Sequence, residues 1–240
     1  MITWAIAWTN AKIVNEYLSY YNLIFLRFLL GFVSLLPFVL LLKKPFPKIS
    51  EYRYILMPSL LFLIYNVAFF KGTDYGLAGK GAILVTTLNP LFTVLLMSII
   101  NKKISTKEIT GVLLGIIGGY IIMDLYNIGF KSIFDPGNIY FIICAISWGI
   151  MTVLINYAQK IINPYSFICI CYFLTMILTI PFISVREIIV AEYNFKFMIN
   201  FFFVSMGAMS FGTSIYMYYT PILGPSKASI FIFSVPFLAI

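Results

Sequence analysis

The chain has 240 residues, of which 62% are hydrophobic, 18% aromatic and 10% charged, with a mean hydropathy of +1.00. A soluble domain is roughly half apolar and a quarter charged, so 16 basic and 8 acidic residues exclude a water-facing surface and leave the bilayer as the solvent. The net charge of +8 sits mostly in short loops, which points to membrane orientation and not to nucleic acid.

Nine apolar segments follow one another: 1–14, 20–42, 54–71, 81–100, 109–125, 137–157, 164–184, 196–219 and 226–240. Most have the length of a spanning helix, about 20 residues. A membrane barrel would show alternating segments half as long. The expected fold is therefore an all-α polytopic membrane protein. With the first residue in the cytoplasm, nine Lys or Arg fall in inner loops (Lys43, Lys44, Lys48, Arg53, Lys102, Lys103, Lys107, Lys160 and Lys227) and five on the outer side (Lys71, Lys80, Lys131, Arg186 and Lys196). That bias has the sign of the positive-inside rule.

Polar side chains at membrane depth are the candidates for function. In the first segment these are Asn10 and Lys12, which either line a substrate path or, for Lys12, snorkel to the interface. Arg27 lies one turn into the second segment. An unpaired Arg in a helix centre costs about 2.5–3.5 kcal/mol on insertion scales, so a structural ion pair is expected, with Glu16 or Asp74 as partner, and contact with substrate is the other reading. Asn66 sits mid-segment in the third and either lines a path or bonds a neighbouring helix. Lys71 and Asp74 are spaced for an i, i+3 pair or form a solvated rim at the outer helix end. In the fourth segment Thr87 and Asn89 precede Pro90, which frees a carbonyl one turn earlier and permits a kink. This makes Pro90 a gating candidate and its neighbours either a candidate binding wall or groups that merely satisfy the freed backbone. Gly111, Gly115, Gly118 and Gly119 share a face of the fifth segment and suit close helix packing. Trp148 in the sixth segment lies nearer mid-membrane than the interfacial belt, and Tyr216 in the eighth adds aromatic surface; both are candidate path residues. Pro236 in the ninth is the counterpart of Pro90. Cys144, Cys169 and Cys171 lie in apolar runs and read as inert buried thiols.

A repeat underlies these segments. Trp4 and Trp148 are 144 apart, as are Pro37-Phe38 and Pro181-Phe182, while Pro90 and Pro236 are 146 apart. A near-constant offset implies a unit of five helices, at 1–126 and 137–240. Five is odd, so the second unit enters the membrane in the opposite sense, the inverted repeat common in secondary transporters. On this plan a tenth helix and roughly eight residues of the first helix lie outside the sequence.

Several of these stretches together resemble the drug/metabolite transporter superfamily in its EamA-like branch. They are Trp4 followed by Lys12, Phe25-Leu-Arg27, the run from Gly79 to Asn89-Pro90, the glycines from Gly111 to Gly119, Ser147-Trp148-Gly149, and Pro225 to Pro236. The resemblance spans the chain. It departs at Asn101-Lys-Lys-Ile, where the family often has Gly-Glu, and at Asn156, which stands where the first unit has Lys12. It implies a ten-helix plan of two five-helix repeats.

The expected function is a secondary transporter, an exporter of small metabolites or amino acids working by alternating access. It would be multi-pass in a bacterial inner membrane with a cytoplasmic N-terminus. Its expected partners are a small-molecule substrate and lipid, with no nucleic acid. A non-transporting receptor or assembly protein on the same helices is the alternative. No histidine is present and no nucleotide-binding or metal-ligand pattern is found, so neither an enzyme, a cofactor nor a metal is expected.

Overall fold

The computed structural model describes residues 1–239 and, among them, contains helices and turns with no strand. We number the long helices α1 (Ile2–Val14), α2 (Tyr20–Leu41), α3 (Arg53–Tyr75), α4 (Ala78–Asn101), α5 (Thr106–Ile122), α6 (Pro136–Ala158), α7 (Pro164–Thr179), α8 (Phe195–Leu223) and α9 (Pro225–Leu238). Six are long and apolar enough to cross a membrane: α2, α3, α4, α6, α7 extended by a 3₁₀ turn to Phe182, and α8. The chain is a multi-pass all-α membrane protein. The other three are shorter. At 1.5 Å per residue the 13 residues of α1 reach about 20 Å, two-thirds of the hydrocarbon.

The ends of the helices follow from local chemistry. Pro136 and Pro164 occupy first helical positions, where a missing N–H costs nothing. Ser105 and Glu108 form a reciprocal capping box at the start of α5: Ser105 N–H donates to Glu108 Oε2 at 2.9 Å and Glu108 N–H to Ser105 Oγ at 3.2 Å. Gly224 adopts φ +88° between α8 and α9, a region that disfavours side chains.

Helix packing depends on small residues, because lipid tails give apolar helices no reason to associate. Phe141 of α6 is fully buried. A Cβ at Gly72 or Gly81 would lie 2.4 Å from its ring, so both glycines are needed for the ring to enter between α3 and α4. The glycine face of α5 packs as expected at two positions. Gly115 meets Phe233 of α9 and Gly119 meets Thr87 of α4, each too closely to admit a Cβ, whereas Gly118 faces open space.

Two sets of contacts define the ends of the bundle. At one end Lys12 Nζ donates to the Gly76 carbonyl at 3.3 Å, Lys196 pairs with Glu16 at 3.0 Å, and Asn22 at the start of α2 bonds Ser184 and Glu187 beyond α7. At the other end Lys44, after α2, lies over the Tyr165 ring at the start of α7, and Tyr165 meets Tyr218 late in α8 at 5.2 Å.

The long helix α8 is not uniform. Phe203–Thr213 is a π-helix of 11 residues between α-helical flanks. Such geometry is rare and usually confined to one turn. Side chains from three other helices bond its carbonyls. Arg27 Nε donates to Val204 at 3.2 Å, Trp4 Nε1 to Ala208 at 3.0 Å and the Tyr172 hydroxyl to Met209 at 3.0 Å.

Candidate functional site

A central cavity lies where α1, α2, α3, α4, α6 and α8 converge. Trp4, Trp8, Arg27, Asn66, Asn89, Trp148 and the π-helical residues Met209 and Thr213 are among its walls. Its volume is about 40 Å³. One water needs about 10–15 Å³ by this measure, so the cavity has room for a few waters.

The walls are mainly aromatic. Trp4 and Trp148 meet edge to face at 5.1 Å. Tyr216 is 5.2 Å from Trp4 and 5.7 Å from Trp148, and Tyr65 is 4.8 Å from Trp148. Trp8 packs on Phe69 at 4.8 Å. The repeat landmarks Trp4 and Trp148 therefore touch each other. All three tryptophans of the chain line this one cavity.

Arg27 is the charged residue on the wall. It is 6% exposed. Here the structure corrects the expected ion pair: Nη1 donates to Asn66 Oδ1 at 2.7 Å, Nε donates to the Val204 carbonyl, and the guanidinium lies 5.5 Å from the Phe69 ring centre and 5.8 Å from that of Phe70. Glu16, one proposed partner, is engaged with Lys196, and this is the ion pair found among the described residues. Asp74, the other, is exposed at the helix end. The physical reason is depth: both acids sit at the bundle end, where water solvates them, while Arg27 points into the core. Lys71 does not pair with Asp74 either, its ammonium lying over the Tyr20 ring at 5.0 Å.

The other candidates divide by place. Asn66 is buried beside Arg27 and donates to the Phe62 carbonyl at 2.9 Å. Asn89 and Trp148 line the cavity. The Tyr216 hydroxyl bonds Thr152 at 3.1 Å, and its ring faces a neighbouring groove with Trp4. Thr87 and Pro236 instead border the groove between α5 and α9. Pro90 is buried within α4, one residue beyond the cavity-lining Asn89. Lys12 is exposed, in a polar cleft at the bundle end with Asp74, Lys80 and Asp135. Asn10 is half-buried and is not among the described cavity walls.

Sequence reasoning missed the contributions of Trp8 and the π-helix. Trp8 lies four residues from Trp4, a same-face spacing that gives a signal in retrospect. The π-helix is marked only by Gly207 and Gly212 among small residues. A Cβ at Gly212 would meet Thr3 Oγ1 at 2.6 Å and Trp4 Nε1 at 3.0 Å, so this glycine lets α1 approach.

Comparison with known proteins agrees with this architecture. The chain is 23% identical over 244 residues to the uncharacterized transporter YoaV of Bacillus subtilis (strain 168), a match covering all of this chain and 83% of that protein. The model of the EamA-like transporter family matches residues 1–124 and 135–240. With nearly its whole length matched, the chain belongs to the EamA-like transporter family.

Proposed function

We propose that this membrane transporter is a secondary exporter of small metabolites or amino acids. In this reading two inverted five-helix units, 1–126 and 137–240, rock against each other around the central cavity and expose it to each side in turn. The observation that carries the reading is the composition of the cavity wall: Trp4, Arg27 and Asn89 come from the first unit, Trp148 and Met209 from the second. Relative motion of the units would reshape such a cavity directly. Its small volume suits a closed intermediate, since ligand pockets commonly hold about 300–1,000 Å³.

The orientation proposed is a cytoplasmic N-terminus in a bacterial inner membrane, supported by the Lys and Arg bias of the loops. Lys43, Lys44, Lys103 and Lys227 then lie on the cytoplasmic side. Lys12, with Asp74, Lys80 and Asp135 around it, lines a cleft that opens to the outside.

Export is tested by reconstituting the protein in liposomes and following counterflow of a broad panel of radiolabelled amino acids and organic acids. Saturable exchange of at least one compound is expected. Protein-dependent exchange absent across the panel, with reconstitution verified, would instead favour a receptor or assembly role.

A further inference from the structure

The guanidinium of Arg27 is a buried positive charge without an anion. Its two hydrogen bonds end on neutral oxygens, Asn66 Oδ1 at 2.7 Å and the Val204 carbonyl at 3.2 Å. No ion pair to it occurs among the described residues, and Nη2 has no protein acceptor among them. A guanidinium has five N–H donors in a planar fork that matches a carboxylate. Two are used on the protein. Dipoles and ring faces compensate a buried cation in part, but a carboxylate would do so by both charge and geometry.

Trp148 Nε1 is buried and makes no hydrogen bond of ordinary geometry. Its polar neighbour is the Tyr216 hydroxyl, which is bonded to Thr152 at 3.1 Å. The guanidinium donors left unused by the protein favour a ligand that brings acceptor oxygens. Beyond Arg27 the wall continues through Phe69, Tyr65 and Trp148, with successive ring centres 6.0 Å and 4.8 Å apart. That surface suits an apolar or aromatic body.

We propose that Arg27 is the receptor for the carboxylate of the transported molecule, whose apolar body lies along the aromatic wall of the central cavity. This rests on the transporter reading above and adds a substrate class to it: small organic carboxylates, amino acids included. Asn66 positions the guanidinium and competes weakly with the ligand as a neutral acceptor.

The tryptophans supply the assay, because all three line the cavity and their fluorescence reports on it. The full chain in lipid nanodiscs is titrated with 3-phenylpropionate, with its neutral amide and with phenyl phosphate. The acid is expected to bind at least ten-fold more tightly than the amide and more tightly than the phosphate. Arg27→Gln should abolish the preference for the acid, and Arg27→Lys should keep part of it. Asn66→Asp seats a fixed carboxylate beside the guanidinium. It should lose acid binding while retaining affinity for the amide, and it carries the comparison alone if Arg27→Gln does not fold. The proposal is overturned if acid and amide bind equally, if the preference survives Arg27→Gln or Asn66→Asp, if the phosphate binds best, or if none of the three alters the fluorescence. Exchange in liposomes separates the two claims. Equal exchange of acid and amide removes the role of Arg27 and leaves transport standing, whereas acid-selective binding with no flux does the reverse.

Discussion

Glu108 shows how much one side chain at a helix start can do. Hydrogen bonding from the Ser105 backbone N–H holds its carboxyl below the usual carboxylate range, with the Ser226 and Ser105 hydroxyls and the Lys227 charge acting in the same direction against desolvation. A depressed folded-state value means that the contribution is fully present above the unfolded-state value and is lost as pH falls through the folded one. Thermal stability should accordingly decline as pH is lowered below about 4.3, the ordinary Glu value, and Glu108→Gln should flatten part of that decline. Parallel melting curves for the two proteins across the acid range would remove Glu108 as the cause. The same residue links α5 to α9, since Ser226 and Lys227 begin α9.

At the scale of elements, one close joint is the insertion of Phe141 between α3 and α4. Gly81→Val places branched carbon where the ring now lies. Overpacking of this kind costs about 1–3 kcal/mol, so a lowered melting temperature in detergent is expected, with partial recovery in the double variant Gly81→Val/Phe141→Leu. No recovery would mean that the ring is not what the larger side chain meets. Helix placement was readable in the sequence because long apolar runs bounded by charge, Pro and Gly leave few alternatives: α2, α4, α6 and α7 lie close to their predicted bounds. The interior of α8 was not readable. Its hydropathy is the same whether carbonyls bond four or five residues ahead, and the donors that meet the π-helical carbonyls come from Arg27, Trp4 and Tyr172, remote in sequence. The same limit explains Arg27 itself. Its burial was legible from composition and position, but its acceptor, Asn66, is identified only once α2 and α3 are packed.

Across the whole molecule, one end of the bundle is closed by contacts between the halves. Glu187 accepts from the backbone N–H of Ser19, from its hydroxyl at 2.8 Å and from the Asn22 amide at 2.8 Å, and Glu16 pairs with Lys196 nearby. If the units rock, this seal must break whenever the cavity opens toward that end. Glu187→Ala should therefore speed modification of a cysteine placed at the cavity position Asn89 by a membrane-impermeant thiol reagent applied from that side, by several-fold over the same cysteine in the unaltered background. Equal rates would show that these contacts do not limit access. The native cysteines, all buried, provide a low background.

The seal has a thermodynamic consequence for α2. The first four amides of a helix have no partner within it, and an acid beside them also answers the positive end of the helix dipole. Glu187 therefore stabilises α2 from the other half of the chain, and only while the two halves meet. If they part as proposed, the first turn of α2 loses this support and the tendency of its end to unwind rises. If the proposed cycle parts the halves, folding of that turn and closure of the bundle are coupled, and conditions that fray helix ends, such as heat or denaturant, would also shift how often the protein opens.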